Sequence, residues 1–354
     1  MNFGIIVPVK PNLHILYVGQ LDDGGTCTHR MRVLRELGYR ITPFNYLTYL
    51  NQGPRIVRSV RFRWSIGPGI GKLNRDLIAA ADTARPDLIW VDKGRPFYPQ
   101  TIQAIKRHAP VVHYNPDDPF GHIRRGWRHF IASLPDYDVH LVPRAVNVQE
   151  YANAGARHVI RYYWSFHPDI HHPRELSSDE RQKLGGPVGF IGQYELPREN
   201  AVYHLASHGI NVRIWGPGWD KCGKRHENLA IEGRPLYDNS YALALCAFDV
   251  NLGFLMKVNR DLMTQRSVEI PACGRFLLAE RTSEHLELFE EGKEAEFFGN
   301  HDELLEKARF YLANPSTREK IAAAGRERCL RSGYSNQERL KTMLRQVSEV
   351  VDLS

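Results

Sequence analysis

The sequence predicts an α/β protein built from two Rossmann-like, doubly wound domains facing a central cleft. Three observations carry that expectation. The chain has 354 residues, too many for one ordinary core and suited to two domains of about 150 residues each. Short apolar strand patterns alternate with helical patterns from His14 to Tyr162, as parallel βαβ units require. The same rhythm restarts at Val188, after a stretch rich in proline and histidine at residues 164–173. The expected division is a first domain over residues 1–165, a linker over 166–186, a second domain over 187–334, and a terminal helix over 335–354 that crosses back to the first domain.

Composition narrows the function classes. Hydrophobic residues make up 42% and charged residues 25%, as in an ordinary soluble globular protein. A net charge of +7 suits anionic ligands or an anionic membrane surface. No run of four Lys or Arg occurs, so nucleic acid is not the expected partner. The five cysteines are scattered, without a CxxC pair, which predicts reduced thiols in a cytoplasmic protein. The N-terminal MNFGIIVPVKPN has neither a basic lead nor a small-residue cleavage site, so no signal peptide is expected. Nowhere do 18 apolar residues follow one another, so membrane contact is expected to be peripheral at most.

In the first half, residues 14–19 (HILYVG) read as a buried strand, 26–37 as a helix and 39–44 as the next strand. The loop between the first two holds Gly24, Gly25, Thr26 and Thr28. It would place backbone donors at a helix N-terminus, a natural anion site, although it lacks GxGxxG and also serves as a tight turn. Residues 51–70 are basic (Arg55, Arg58, Arg61, Arg63) and weakly patterned, and are expected to be irregular. GPGIGK at 67–72 lacks the hydroxyl residue of a phosphate loop. Strands are expected at 87–91, 111–114, 139–142 and 158–162, with a helix at 73–84. Loops beyond strand ends are where such sheets bind ligands, so His113, Asp117 and Asp118 become cleft candidates, with turn formation beside Pro116 and Pro119 the alternative. Asp136 and Asp138 imitate a DxD metal signature, but a turn opening the next strand accounts for them better. His167 and His171 have i,i+4 spacing that on a helix could hold zinc, and the prolines at 168 and 173 argue against a helix. No metal site is expected.

The second half brings strands at 188–192, 212–215 and 248–254, then the segment NRDLMTQRSVEIPACGRFLLAE at 259–280. This couples a charged helical run to a glycine break and a short apolar strand. Asp261 and Glu269 lie eight positions apart, about two helical turns. Glu269 adjoins the apolar Ile270–Cys273 block, where an unpaired carboxylate would be costly. The terminal segment 335–351 carries Leu340, Met343, Leu344, Val347 and Val351 on one stripe.

RSVEIPACGRFLL at 266–278 resembles the RxFEIPACGxFLL signature of the CgeB-like (spore-maturation protein type) glycosyltransferases, relatives of family-4 enzymes with the GT-B fold. The resemblance extends over residues 187–335, through FIG at 190–192, WGPGW at 215–219, Tyr237, and the segments 284–294, 304–315 and 324–326. In the first half it is confined to strand order, PDLIW at 86–90 and the loop at 115–119.

That resemblance implies a glycosyltransferase, hexosyl or related, that moves a sugar from a nucleotide-diphosphate donor, UDP-linked above all, to an acceptor hydroxyl. It implies retention of configuration, no bound metal and no cofactor besides the co-substrate. Asp261 takes the place of the first of two family acids, near the donor sugar, with His113 and Asp118 as the further catalytic candidates. Glu269, in the place of the second, would accept hydrogen bonds from the ribose hydroxyls. Arg198 and Lys257 first, and then Arg266, would face the diphosphate. Gly192 would let the backbone approach, Gly216 and Tyr237 would edge the base pocket, and Gly25 would offer its donors from the first domain. A GT-B sugar-nucleotide epimerase and a non-catalytic nucleotide-sugar-binding protein are the alternatives. The acceptor, whether a glycan, a lipid-linked sugar or a small molecule, is not specified. Arg55–Arg63 with Arg124, Arg125 and Arg128 would face an anionic glycan, a lipid headgroup or only solvent.

Overall fold

The computed structural model describes Lys10, residues 12–121 and residues 126–353. The N-terminal apolar run at residues 1–9 and the pair Arg124 and Arg125 lie outside those residues. The chain divides into two compact units. Unit 1 comprises residues up to Tyr163, Val258–Arg260 and the segment from Gln337, and unit 2 comprises Trp164–Lys257 and Asp261–Asn336. The stretch expected as a linker, with helix Ser178–Leu184, therefore belongs to unit 2. That helix starts with a capping box in which Ser177 and Glu180 satisfy each other's backbone donors.

Among the described residues, unit 1 contains strands β1 (His14–Gly19), β2 (Arg40–Asn45), β3 (Leu88–Asp92), β4 (Val111–Tyr114), β5 (Val139–Val142) and β6 (His158–Arg161). They form one parallel sheet in the order β2-β1-β3-β4-β5-β6. Helices cover both faces of such a sheet, so its inner strands are apolar without alternation. Every residue of β1, β3, β4 and β5 is accordingly buried. The six strands expected in this half all form.

Unit 2 contains β7 (Gly186–Ile191), β8 (Val212–Trp215), β9 (Leu229–Ile231), β10 (Phe248–Gly253), β11 (Leu277–Glu280) and β12 (Glu296–Phe298). Its order is β12-β11-β10-β7-β8-β9, again parallel. The edge strands β9 and β12 have three residues each, too few for a periodic signal, and sequence reading passes over both. Its core gathers Val188, Phe190, Ile214, Trp219, Val250, Leu252, Phe276 and Leu278 between the sheet and its helices.

One expectation in the first half fails. The stretch read as irregular contains a ten-residue helix, Arg55–Trp64. Arg61 occupies a position where the helical period calls for an apolar side chain, and it is 6% exposed. It donates from Nη1 to the carbonyls of Tyr49 (3.0 Å) and Gln52, and from Nε to that of Pro68. A buried guanidinium with its donors satisfied replaces the hydrophobic anchor.

Two glycines fix how the loops after β7 and β8 meet. Gly216 has φ 143°, and a Cβ there would lie 2.0 Å from the carbonyl oxygen of Gly192. That same oxygen accepts the indole N–H of buried Trp219 at 2.9 Å. Gly216→Ala is therefore expected to destabilise the protein by more than about 1 kcal/mol, seen as a lower urea midpoint with an unchanged slope. An unchanged midpoint would contradict this close approach.

Candidate functional site

In unit 2 the chain runs from β7 outward through β8 and β9, then returns to the opposite side of β7 as β10. Ligands of open α/β sheets bind beyond the carboxyl ends of the strands at such a reversal. The loops leaving β7 and β10 meet there on Arg198, which lies near the start of helix Leu196–Ser207 and is 2% exposed. Its Nη2 and Nε donate to the Leu255 carbonyl at 2.7 and 3.3 Å, and its Nη1 donates to that of Gln193 at 2.7 Å. The Glu195 carboxylate stands 3.4 Å from Nε. Burial, and then the neighbouring Arg266, lower its pKa to about 10, which leaves it cationic at neutral pH.

Arg266 opens helix Arg266–Ala272. Its guanidinium lies 5.7 Å from the ring centre of Phe190 in β7, and that of Arg198 lies 5.3 Å from the same ring. The Nε of Arg266 is buried without a hydrogen-bond partner, and no carboxylate pairs with the side chain among the described residues. The order of the expected cations is thereby reversed. Arg198 is committed to backbone carbonyls, and Lys257 pairs with Glu280. Of the three, Arg266 is the one with a buried donor left unpaired among the described residues. Two guanidiniums beside one ring repel each other, and an anion bound between them removes that cost.

Glu269 lies one turn into the same helix and is 5% exposed. The hydroxyl of Tyr241 donates to its Oε2 at 2.6 Å, and Nε2 of His171 stands 3.5 Å from Oε1. Nδ1 of His171 accepts the backbone N–H of His167 at 3.0 Å, which leaves the proton on Nε2, facing Glu269. Of the two histidines whose spacing imitates a zinc pair, His171 thus faces a carboxylate and His167 orients the His171 ring through its backbone N–H. Burial, and then Glu269, raise the pKa of Tyr241 well above its ordinary value, so it stays a donor. Tyr241 and His171 are 28 and 98 residues from Glu269 in sequence, and nothing in the local pattern marks Tyr241.

Asp261 is buried, and its backbone N–H donates to the Met256 carbonyl at 3.3 Å. Its charge is among those that raise the pKa of Arg198, against burial and Arg266, so the two are neighbours. Gly192 and Gly216 make the backbone approach already described, and the Gly216 N–H donates to the Arg234 carbonyl at 2.9 Å. Tyr237 caps helix Asp238–Ala247 with its side chain 65% exposed. Arg198, Lys257 and Glu280 also line a cavity of about 310 Å³ beyond β10, β11 and β12, with Phe254, Phe298 and His301.

Three expected site residues lie in unit 1 and take other roles. His113 lines no cleft. It is fully buried, packed on Phe130 and Tyr137, with Nδ1 3.0 Å from Nδ1 of His140. Burial, and then His140, hold its pKa well below the usual range. Asp118 is buried and held by both Nε and Nη2 of Arg260, at 2.6 and 3.0 Å. Asn147 donates to it at 2.9 Å. Burial raises its pKa, but the hydrogen bonds of Arg260, Asn147 and the Phe120 N–H outweigh this and lower it. A carboxylate so occupied is a poor general base. At Gly25 the Asp22 carboxylate already crowds the position of a Cβ, with Oδ1 at 2.3 Å, so that helix start faces an anion of its own. The DxD imitation is structural as well, because Asp138 accepts the Val111 N–H at 2.9 Å and pairs with Lys106. Among the described residues no group of three His, Cys, Asp or Glu side chains is arranged to hold a metal. All five cysteines are buried and free of disulfides, and no described helix is long and apolar enough to cross a membrane.

The segment carrying Asp261, Arg266 and Glu269 is fastened by His285. Thr264 N–H donates to Ser267 Oγ at 3.1 Å, the Ser267 hydroxyl donates to Nε2 of His285 at 2.7 Å, and Nδ1–H donates to the Glu280 carbonyl at 2.6 Å. The neutral ring satisfies every contact. Burial lowers its pKa from the ordinary 6.5 to about 4. Between those values the unfolded state binds the proton and the folded state does not. Stability is therefore full above pH 6.5 and falls as the pH drops towards 4, by about 3 kcal/mol from this group. His140, also lowered by burial to about 4, acts in the same direction. Urea unfolding of His285→Asn between pH 7 and 4 is expected to lose about one proton's worth of slope, and an unaltered slope would contradict the assignment.

Comparison with known proteins bears on the fold and on the second half of the chain. Residues 198–345 match the family model described as glycosyl transferase-like. No curated protein sequence matches the chain. Sucrose-phosphate synthase from Thermosynechococcus elongatus superposes with a TM-score of 0.67 at 12% identity, over 96% of this chain and 100% of that one. HepE of Anabaena, solved with UDP-glucose, gives 0.63 at 12% identity over 95% and 100%. A structure titled putative UDP-N-acetylglucosamine 2-epimerase, from Listeria monocytogenes, gives 0.55 at 11% identity over 96% of both chains. Two parallel-sheet α/β domains that match glycosyltransferase structures along almost their whole length establish the GT-B fold for this chain.

Proposed function

We propose that the protein is a glycosyltransferase that uses a nucleotide-diphosphate sugar, UDP-linked above all, with its donor on unit 2. The observation that carries this reading is Arg266, a cation without a carboxylate partner among the described residues, beside the buried Arg198 at the strand reversal. A departing diphosphate gains negative charge as the glycosidic C–O bond breaks, and a preorganised guanidinium stabilises that charge most where water is excluded. Glu269, held by Tyr241 and His171, supplies a fixed carboxylate nearby for the ribose hydroxyls. Asp261 stands next to Arg198 for the sugar. The acceptor oxygen forms the new bond to the anomeric carbon and its proton passes to the leaving phosphate, with configuration retained and without a metal ion.

Transfer is preferred to epimerisation because the matched family model, over residues 198–345, is glycosyl transferase-like. The signature at 266–278 supports a CgeB-like subtype. The occupied state of Asp118 and the core position of His113 leave Asp261, of the three catalytic candidates, as the one in the proposed site. The acceptor is an unassigned hydroxyl compound.

Ligands that bind only the folded protein raise its melting temperature. A UDP-, dTDP- or GDP-linked sugar is expected to protect the chain in a melting-shift screen. Arg266→Ala removes a charge-assisted contact and is expected to weaken donor affinity about ten- to hundred-fold. Glu269→Ala should abolish the shift while the protein still folds. Full donor binding by both variants would refute the site. Conversion of the free donor to its epimer without an acceptor would favour the epimerase reading instead.

A further inference from the structure

Residues 37–75 contain no Asp or Glu, yet carry Arg40, Arg55, Arg58, Arg61, Arg63, Lys72 and Arg75. The structure folds the centre of this run into helix Arg55–Trp64. Arg61 is spent on holding the helix to unit 1, through the carbonyls of Tyr49, Gln52 and Pro68. Arg55, Arg58 and Arg63 are exposed, and among the described residues no carboxylate pairs with any of them. Between and beside these cations stand exposed apolar side chains: Ile56, 79% exposed, and Phe62, with Trp64 and Ile66 at the helix end. Isolated apolar residues on a surface are ordinary. Four within eleven positions, interleaved with three unneutralised arginines, are not.

We propose that this helix docks unit 1 on the surface of an anionic lipid bilayer. Helices that lie in a membrane interface combine basic residues, which meet lipid phosphates, with aliphatic and aromatic side chains that enter the acyl boundary. Trp in particular favours the headgroup level. A soluble polyanion would satisfy Arg55, Arg58 and Arg63 but offers nothing to Ile56 and Phe62. A second copy of the chain would bring the three arginines against their own kind. An anionic bilayer meets both the charge and the apolar groups. The docking goes beyond the sugar-transfer reading and does not depend on it, since it can be read without any nucleotide.

The test is co-sedimentation of the full chain with vesicles of two parts phosphatidylcholine to one part phosphatidylglycerol, against vesicles of phosphatidylcholine alone. Binding is expected to the anionic vesicles only, and to weaken as salt rises. Each arginine near the surface contributes roughly five-fold, so Arg58→Glu with Arg63→Glu should reduce binding at least about 25-fold. Ile56→Ser with Phe62→Ser should also lose binding while all charges remain. These positions are exposed, and unchanged melting temperatures verify that the variants fold. Failure of the wild-type chain to sediment with anionic vesicles would overturn the proposal. So would wild-type binding by the Ile56/Phe62 variant together with complete displacement by heparin, which would mark the helix as a site for soluble polyanions.

Discussion

The guanidinium of Arg198 is the constraint on which unit 2 depends. Two loops leave the sheet on either side of its strand reversal, each ending in a carbonyl that would be costly to bury unpaired. One side chain satisfies both, and Glu195 and Asp261 lie close by to offset its charge. An apolar residue of similar length would leave the Gln193 and Leu255 carbonyls without the donors they now have. The cation that joins the two loops is therefore distinct from Arg266, whose Nε is left without a hydrogen-bond partner among the described residues.

Around that clamp, polar groups hold one another in fixed positions. Glu280 accepts the Leu255 N–H at 2.8 Å and pairs with Lys257, while its backbone carbonyl accepts a hydrogen bond from Nδ1–H of His285. His285 in turn fixes Ser267 and Thr264, and so the start of the helix that carries Arg266 and Glu269. Each link is a hydrogen bond with donor and acceptor satisfied, the condition under which a buried polar network rigidifies. Unit 1 shows the same economy at Arg260, whose guanidinium meets both Asp118 and Glu150.

The two-fold division and every strand but the three-residue β9 and β12 were legible because they rest on local apolar runs and on glycine and proline breaks. Asp261, Arg266 and Glu269 were legible as a set because they share the segment 259–280, and Arg198 as a cation after β7, though their division of labour was not. Contacts made at long sequence separation decide that division. Arg260 reaches Asp118 across 142 positions, and no pattern near Asp118 reports it. His113 was placed at a cleft because it lies near a strand end, but strand alternation turns its ring to the side where Phe130 and Tyr137 pack. The helix Arg55–Trp64 was missed because a buried arginine stands where the apolar period calls for a hydrophobic residue. In each case a polar side chain satisfied inside the fold looks, in sequence, like one meant for solvent or chemistry.

The central claim is that the strand reversal of unit 2 binds a diphosphate through Arg266 on the platform made by Arg198. Calorimetric titration of the wild-type chain and of Arg266→Ala with UDP and with UMP tests it most directly, since the two ligands differ only in the second phosphate. The account predicts that UDP binds the wild-type chain at least about ten-fold more tightly than UMP, and that the ratio collapses towards one in the variant. Equal affinities in the wild-type chain, or an undiminished ratio in Arg266→Ala, would contradict it.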